Sequence, residues 1–433
     1  MPDSQPQQPR HNDHRSGEGT AEPGTLLLSG ARLTDGRIVD VRLGGGRIEA
    51  VGTAGSLTTP AHAPVNRSAR VDLGGYLLLP APAEPHAHCD TALTADIDGP
   101  VPYATEDVLR RTTEAALQQL GHGATALRTH VRIGDVQGLG PLEAVLQARR
   151  SLRGLAELSA VAVPRLLTGI AGADGLAMLR DAVKMGASVV GGCPDLDPDP
   201  TGYVEAVLET AAEHGIPADL HTDGSDPTRL SRLAAMAGGL RAGVSVGPCA
   251  GLSRLPHDVA ARTADRLAAA GMTVIALPQG DCGGLERRGR ADFTGFAPVR
   301  LLRAAGVRIA AGGGALRDLT SPVGRGDPLE AAYLLAAQAG ARPDEAYDAV
   351  SAAARRAMDL PEVRVEAGFP AELLAVRGDG LGGVLSLGYS RIVVHRGRVV
   401  ARTSAVREYC DSATVAALDL PRQGRQQDGQ QPS

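Results

Sequence analysis

Aromatic residues are almost missing from this chain of 433 residues: it has no Trp, three Phe and seven Tyr. A core must therefore be filled by Ala, Val, Leu and Gly. Lysine is scarcer still, since Lys184 is the only one and the other non-histidine basic residues are arginines. Net charge is only −5, with acidic and basic residues interspersed, so the chain has neither a nucleic-acid stripe nor a membrane-surface patch. No run approaches about 18 uninterrupted apolar residues, which argues against a membrane span. Residues 1–23 are polar and lack the apolar stretch of a secretory signal. Cysteine is also scarce, and five in a chain this long fit a reducing cytosol better than a disulfide framework. The expected location is cytoplasmic.

What remains is a chain with 43% hydrophobic residues, enough for a sizeable core. Its two ends, residues 1–23 and 405–433, read as polar, disordered tails. Short alternating strands separated by glycine turns follow the first tail, as in Ile38-Val39-Asp40-Val41-Arg42-Leu43 and Arg47-Ile48-Glu49-Ala50-Val51. A matching patch returns at Glu372–Val376 and Arg391–Val400. Residues 24–74 and 364–404 are therefore expected to form one composite β-sandwich domain.

Residues 75–363 read differently. Apolar runs of strand length alternate with amphipathic stretches of helix length. The runs are Tyr76–Pro80, Ala124–His130, Ala160–Pro164, Ser188–Cys193, Ala218–His221, Val244–Val246, Thr273–Leu277 and Arg308–Gly312. Eight such runs favour a closed α/β barrel of the (β/α)₈ TIM type, which needs about 250 residues and places its chemistry at the C-terminal ends of the strands.

At the end of the first run stands Glu84-Pro85-His86-Ala87-His88-Cys89-Asp90-Thr91. His-x-His on an extended strand puts two imidazoles on one face, where they can grip one borderline-soft cation. Two barrel-interior histidines without a metal would give the same text. Further along come Leu127-Arg128-Thr129-His130-Val131, Val161-Ala162-Val163-Pro164, Val189-Val190-Gly191-Gly192-Cys193-Pro194 and Asp219-Leu220-His221-Thr222-Asp223. In this order and over about residues 25–404, these segments resemble the strand motifs of the amidohydrolase superfamily, and of cytosine deaminases within it.

The resemblance implies metal-dependent hydrolysis of a non-peptide C–N bond in a small cyclic or amide substrate, with one divalent metal, zinc or iron. It implies His86, His88 and His221 as metal ligands. At the other positions the chain departs from the pattern. Gly224 stands where the family carries its proton-shuttling Glu, Pro248 replaces the sixth-strand His, and Gly314 replaces the eighth-strand Asp. Arg165 stands where cytosine deaminases carry a ring-binding Gln. These changes argue against cytosine deamination.

Cys89, Cys193, Cys249 and Cys282 all fall near strand ends, and Cys249, next to Pro248, is a candidate additional metal ligand. Small apolar packing explains the same residues. Arg165, Asp195 and Gln279 are the candidate substrate-binding residues, and Arg165 with Arg317 would favour an anionic ligand. His130 reads as a supporting or core histidine, and His122, His214, His257 and His395 as helix-end or surface residues. Two readings stay open: a hydrolase with a modified metal site, or a barrel that has lost catalysis, holds no metal, and binds a small molecule or regulates. Either takes a small-molecule substrate or ligand, engages no nucleic acid or membrane, and is compatible with a homo-oligomer.

Overall fold

Asp-Pro pairs start three of the helices and show how the sequence sets its boundaries. Asp199, Asp226 and Asp327 each accept hydrogen bonds from backbone N–H groups of the first helical turn, with Pro at the next position. The carboxylate satisfies otherwise unpartnered donors, and the proline has no N–H to leave unpaired. The computed structural model describes residues 24–58, 69–280 and 295–405. The polar stretches at 1–23 and 406–433, and Cys282, lie outside the described residues.

The strands fall into two sheets. One joins both ends of the chain: β1 (Leu26–Arg32), β2 (Ile38–Gly44), β3 (Arg47–Thr53), β4 (Ala69–Asp72) and β5 (Tyr76–Pro80) with β14 (Leu373–Arg377), β15 (Arg391–His395) and β16 (Arg398–Thr403). Its order is β16-β15-β14-β5-β1-β2-β3, with β4 pairing β1. Leu28, Val41, Ile48, Leu373 and Val394 meet in its own apolar core.

The second sheet is parallel and runs in chain order through β6 (Ala83–Ala87), β7 (Ala126–Ile133), β8 (Glu157–Pro164), β9 (Val189–Gly192), β10 (Ala218–Thr222), β11 (Val244–Pro248), β12 (Thr273–Ala276) and β13 (Arg308–Ala311). A parallel bridge between Ala87 and Gly314 links its first and last strands. Helices α1 (Thr105–Gly121), α2 (Gly140–Ser151), α3 (Gly169–Met185), α4 (Pro200–His214), α5 (Pro227–Ala237), α6 (His257–Ala269) and α7 (Val299–Ala304) connect these strands in turn. After β13 come α8 (Pro328–Gln338), α9 (Pro343–Val350) and α10 (Ala352–Ala357), and α11 (Leu381–Leu387) separates β14 from β15. This is the (β/α)₈ barrel, with a small domain built from both chain ends.

One strand differs from expectation. Tyr76–Pro80 is not the first barrel strand; it pairs antiparallel with β14, and the barrel begins at Ala83. Its run of leucines is apolar on both faces because it separates two cores. Leu78 faces the small-domain core, while Leu77 and Leu79 face the barrel's main core. A buried ion pair ties the domains together: Arg391 of β15 donates to both carboxylate oxygens of Asp327, the cap of α8, at 2.8 and 2.7 Å. Among the described residues no helix is long and apolar enough to cross a membrane.

Candidate metal centre

Side chains alternate along a strand, and that period stacks polar groups inside the barrel. On β6 and just beyond, Glu84, His86 and His88 share the inner face. On β7 the inner set is Arg128, His130 and Arg132, because Leu127, Val131 and Ile133 pack outward into the main core. On β10 it is Asp219 and His221. The histidines lie toward the C-terminal mouth, with a charged layer of Glu84, Arg128 and Asp219 one step below.

The four rings crowd together. His86 lies 4.1 Å from His130 and 4.3 Å from His221, centroid to centroid, and His130 lies 4.7 Å from His221. The Nε2 atoms of His86 and His221 are 2.8 Å apart. One ligand atom from each of His86, His88 and His130 falls within 4.8 Å of the others. All four residues are buried.

Burial pushes His86, His88 and His221 well below the ordinary histidine pKa, and the charge of the neighbouring rings adds to the effect. Neutral imidazole is the form that ligates metal. Below the rings, burial opposes ionisation of Asp219, but the His130 ring and the Arg128 guanidinium hold its carboxyl below the usual range. Arg128 donates to Asp219 at 3.2 Å, and His130 Nε2 stands 3.6 Å from the other carboxylate oxygen. Glu84 accepts from the backbone N–H of His86 and of Gly313, tying the first strand to the segment after the eighth. Burial nevertheless raises its carboxyl to about 7.

A divalent ion fits this donor set. Nε2 of His88 and Nδ1 of His130 are buried without a hydrogen-bond partner. Each such orphan costs about 1–3 kcal/mol unless something fills the place of the partner. Three or four imidazole nitrogens converging in a closed layer are the ligands that zinc or iron takes.

The residues expected at the site separate into groups. The rings of His86, His88 and His221 lie together, but the ligand group whose atoms converge is His86, His88 and His130, with His221 outside it and His130 in it although the sequence assigns His130 a supporting role. Its signal was the period of two on β7 that sets it on the same face as Arg128. Cys249 does not join. It caps a short turn with φ of 56°, is buried in the barrel's apolar core, and is absent from the ligand group formed among the described residues. Burial pushes its thiol far up, so it is not a ready thiolate. Cys89 and Cys193 are buried as well.

Gly224 and Gly314, which the sequence resemblance sets at the family's Glu and Asp positions, take left-handed backbone conformations, with φ of 71° and 67°. Side chains other than glycine rarely adopt these. Pro248 ends β11 opposite Thr222 and offers no imidazole.

Arg165 is exposed after β8. Asp195 is exposed after β9 and accepts from Thr222 Oγ1, next to His221, at 2.8 Å. Gln279, after β12, spends its amide on the Asp327 carbonyl at 2.8 Å. Arg317 is exposed and paired with Asp96 at 2.6 Å. His395, expected at the surface, is instead buried beside the carboxylate of Glu372, 2.8 Å from Nδ1. That partner lies on a neighbouring strand, outside local sequence.

The family model of the Amidohydrolase family matches residues 98–401. The chain belongs to the amidohydrolase family. The match runs from just before α1 into β16, and His86 and His88 lie ahead of it. Among curated relatives, a pterin deaminase from Rhizobium rhizogenes is 26% identical over 375 residues, which is 79% of this chain and 85% of that protein. Among solved structures, N-isopropylammelide isopropylaminohydrolase from Burkholderia multivorans superposes with a TM-score of 0.74 at 25% identity, over 88% of this chain and 99% of that one. The 5-methylcytosine deaminase of Klebsiella pneumoniae gives a TM-score of 0.73 at 22% identity over 88% of this chain and all of that one (100%), a likeness of fold. Amidohydrolases are typically metal-dependent, and the histidine group is where this member could hold an ion.

Proposed function

We propose that this chain is a metal-dependent hydrolase that cleaves a non-peptide C–N bond in a small ring or amide substrate. The observation that carries this reading is the convergence of His86, His88, His130 and His221 in one buried layer, with Nε2 of His88 and Nδ1 of His130 lacking hydrogen-bond partners. Family membership supports it. So do the names of the relatives, which describe removal of nitrogen from heterocycles.

His86, His88 and His130, with His221 against His86, are the residues that would hold a zinc or iron ion. When bound, such an ion lowers the pKa of a water molecule and polarises the bond to be cleaved. The chain's own contribution is positional. Asp219, held by Arg128, faces the His130 ring and favours one orientation of it. Glu84 pins the backbone of His86 to Gly313 and so fixes where the first strand delivers its imidazoles. Asp195 and Arg165 stand at the rim, where a substrate enters.

Cytosine deamination is not part of this proposal. Gly224, Pro248 and Gly314 supply neither carboxylate nor imidazole at the family's usual proton-transfer positions, and losing one acid/base group costs about 10²–10⁴-fold in rate. The same substitutions favour a second reading, a barrel that binds its ligand without turning it over. Amine release, as ammonia from cytosine and a pterin and as isopropylamine from N-isopropylammelide, measured on protein loaded with Zn²⁺ or Fe²⁺, separates the two. Release from a substrate other than cytosine, lost in His88→Ala, supports the hydrolase. Saturable binding with no release supports the second reading, and robust release from cytosine overturns this account of the site.

A further inference from the structure

Three residues of β7 face into the barrel, and two of them are already engaged. Arg128 lies at the bottom, buried and paired with Asp219 at 3.2 Å. His130 lies in the ring layer. Arg132 follows one step nearer the mouth, only partly buried, and none of the described residues hydrogen-bonds or ion-pairs with its guanidinium. The nearby carboxylate is that of Asp90, buried on the loop after β6. It accepts from the backbone N–H of Arg132 at 3.5 Å, and the guanidinium charge opposes the rise that burial gives its carboxyl, without an ion pair at contact distance between them. Strand alternation sets Arg132 on the same inner face as His130, one step nearer the mouth, because Val131 and Ile133 pack outward. The other two mouth arginines are placed differently. Arg165 is exposed, and Arg317 is exposed and neutralised by Asp96.

We propose that Arg132 is a specificity residue that binds a carboxylate group carried by the substrate and holds the ring or amide over the histidine cluster. The proposal rests on the small-molecule site argued above and names the chemistry that site prefers. A guanidinium presents a planar fork of donors that matches a carboxylate in two parallel hydrogen bonds. Its half-buried position strengthens that pairing relative to a fully hydrated one.

The test is calorimetric binding of matched pairs to the Zn²⁺-loaded full chain: pterin against pterin-6-carboxylate, and uracil against uracil-6-carboxylate. In at least one pair the carboxylate is expected to bind about tenfold more tightly or better, the range of a charge-assisted bidentate contact. Arg132→Met should bring that ratio close to one, and Arg132→Lys should retain part of it. Circular dichroism and metal content serve as controls on folding of both variants. No preference for the carboxylate in either pair overturns the proposal. An undiminished preference in Arg132→Met also overturns it and leaves Arg132 as a counter-charge to Asp90. Ammonia release is read separately. A carboxylate preference that depends on Arg132 without ammonia release supports this inference while the hydrolase reading fails, and release without the preference does the reverse.

Discussion

His86 Nε2 and His221 Nε2 face each other at 2.8 Å across the barrel interior. Two imidazole lone pairs cannot approach this closely without a proton or a cation between them or beside them. Both rings are buried and held neutral near pH 7, so the contact is either a shared N–H or a pair of ligand atoms converging on an ion. His130 and His88 close the group. His130→Ala and His88→Ala should therefore each weaken Zn²⁺ affinity by at least about tenfold, the effect of losing one of a small ligand set. Cys249→Ala should leave affinity unchanged. Competition with a chromophoric chelator measures all three, and a loss confined to Cys249→Ala would move the site away from the histidines.

The ion pair between Asp327 and Arg391 is buried on both sides, with side-chain exposures of 11% and 9%. Arg391 also donates to the carbonyls of Gly388 and His122, so its charge is fully engaged. Arg391→Met strands the Asp327 carboxylate and should cost about 3–5 kcal/mol in urea unfolding. Adding Asp327→Asn removes the stranded charge while keeping a competent helix cap, and should recover a large part of that loss. Equal destabilisation in the single and double variants would show that the charge is not what the pair contributes.

Asp197 illustrates a pH dependence with a definite sign. Burial opposes its ionisation, but Thr168 Oγ1 and the backbone N–H groups of Leu167, Asp199 and Thr168 all donate to it and hold its carboxyl below the ordinary 3.8. A lowered folded-state pKa contributes stability that is complete above the unfolded value and is lost as pH falls through the folded one. The stability gap between wild type and Asp197→Asn should be constant above about pH 5 and shrink progressively below it. A gap that widens on acidification would contradict the assignment.

Much of this was legible in the sequence, and particular residues show where legibility stopped. His-x-His could be read because a strand's period of two is fixed, and the barrel could be read because eight apolar runs alternate with helical patterns. Tyr76–Pro80 was assigned to the barrel because a leucine run buried on both faces looks the same whether it lies in a parallel barrel or between two cores. Only the pairing with Leu373–Arg377, almost 300 positions away in the chain, decides the matter. His130 and His395 needed partners from other strands before their burial made sense. Arg132 carried no motif at all, and its meaning comes from what fails to pair with it.

Gly224, which the sequence resemblance sets at the family's Glu position, has φ of 71°, and its Cβ direction points at Leu230 and Leu252, each 3.3 Å away. Gly224→Glu should therefore destabilise the protein by about 1–2 kcal/mol, the cost of a left-handed conformation for a residue with a side chain. It should not create cytosine deamination, because Pro248 and Gly314 still lack the other groups. Thermal unfolding and ammonia release on the same preparation check both parts. Unchanged stability together with gained activity would show that the site is a minor variant of the ordinary one.

The central claim is that the histidine layer holds a metal ion. Metal content of the purified full chain, measured by inductively coupled plasma mass spectrometry after dialysis against Zn²⁺, addresses it most directly. The account predicts close to one equivalent bound in the wild type and a large loss in His88→Ala/His130→Ala, with both proteins folded by circular dichroism. A wild type that retains no metal, or a double variant that retains it in full, would contradict the claim.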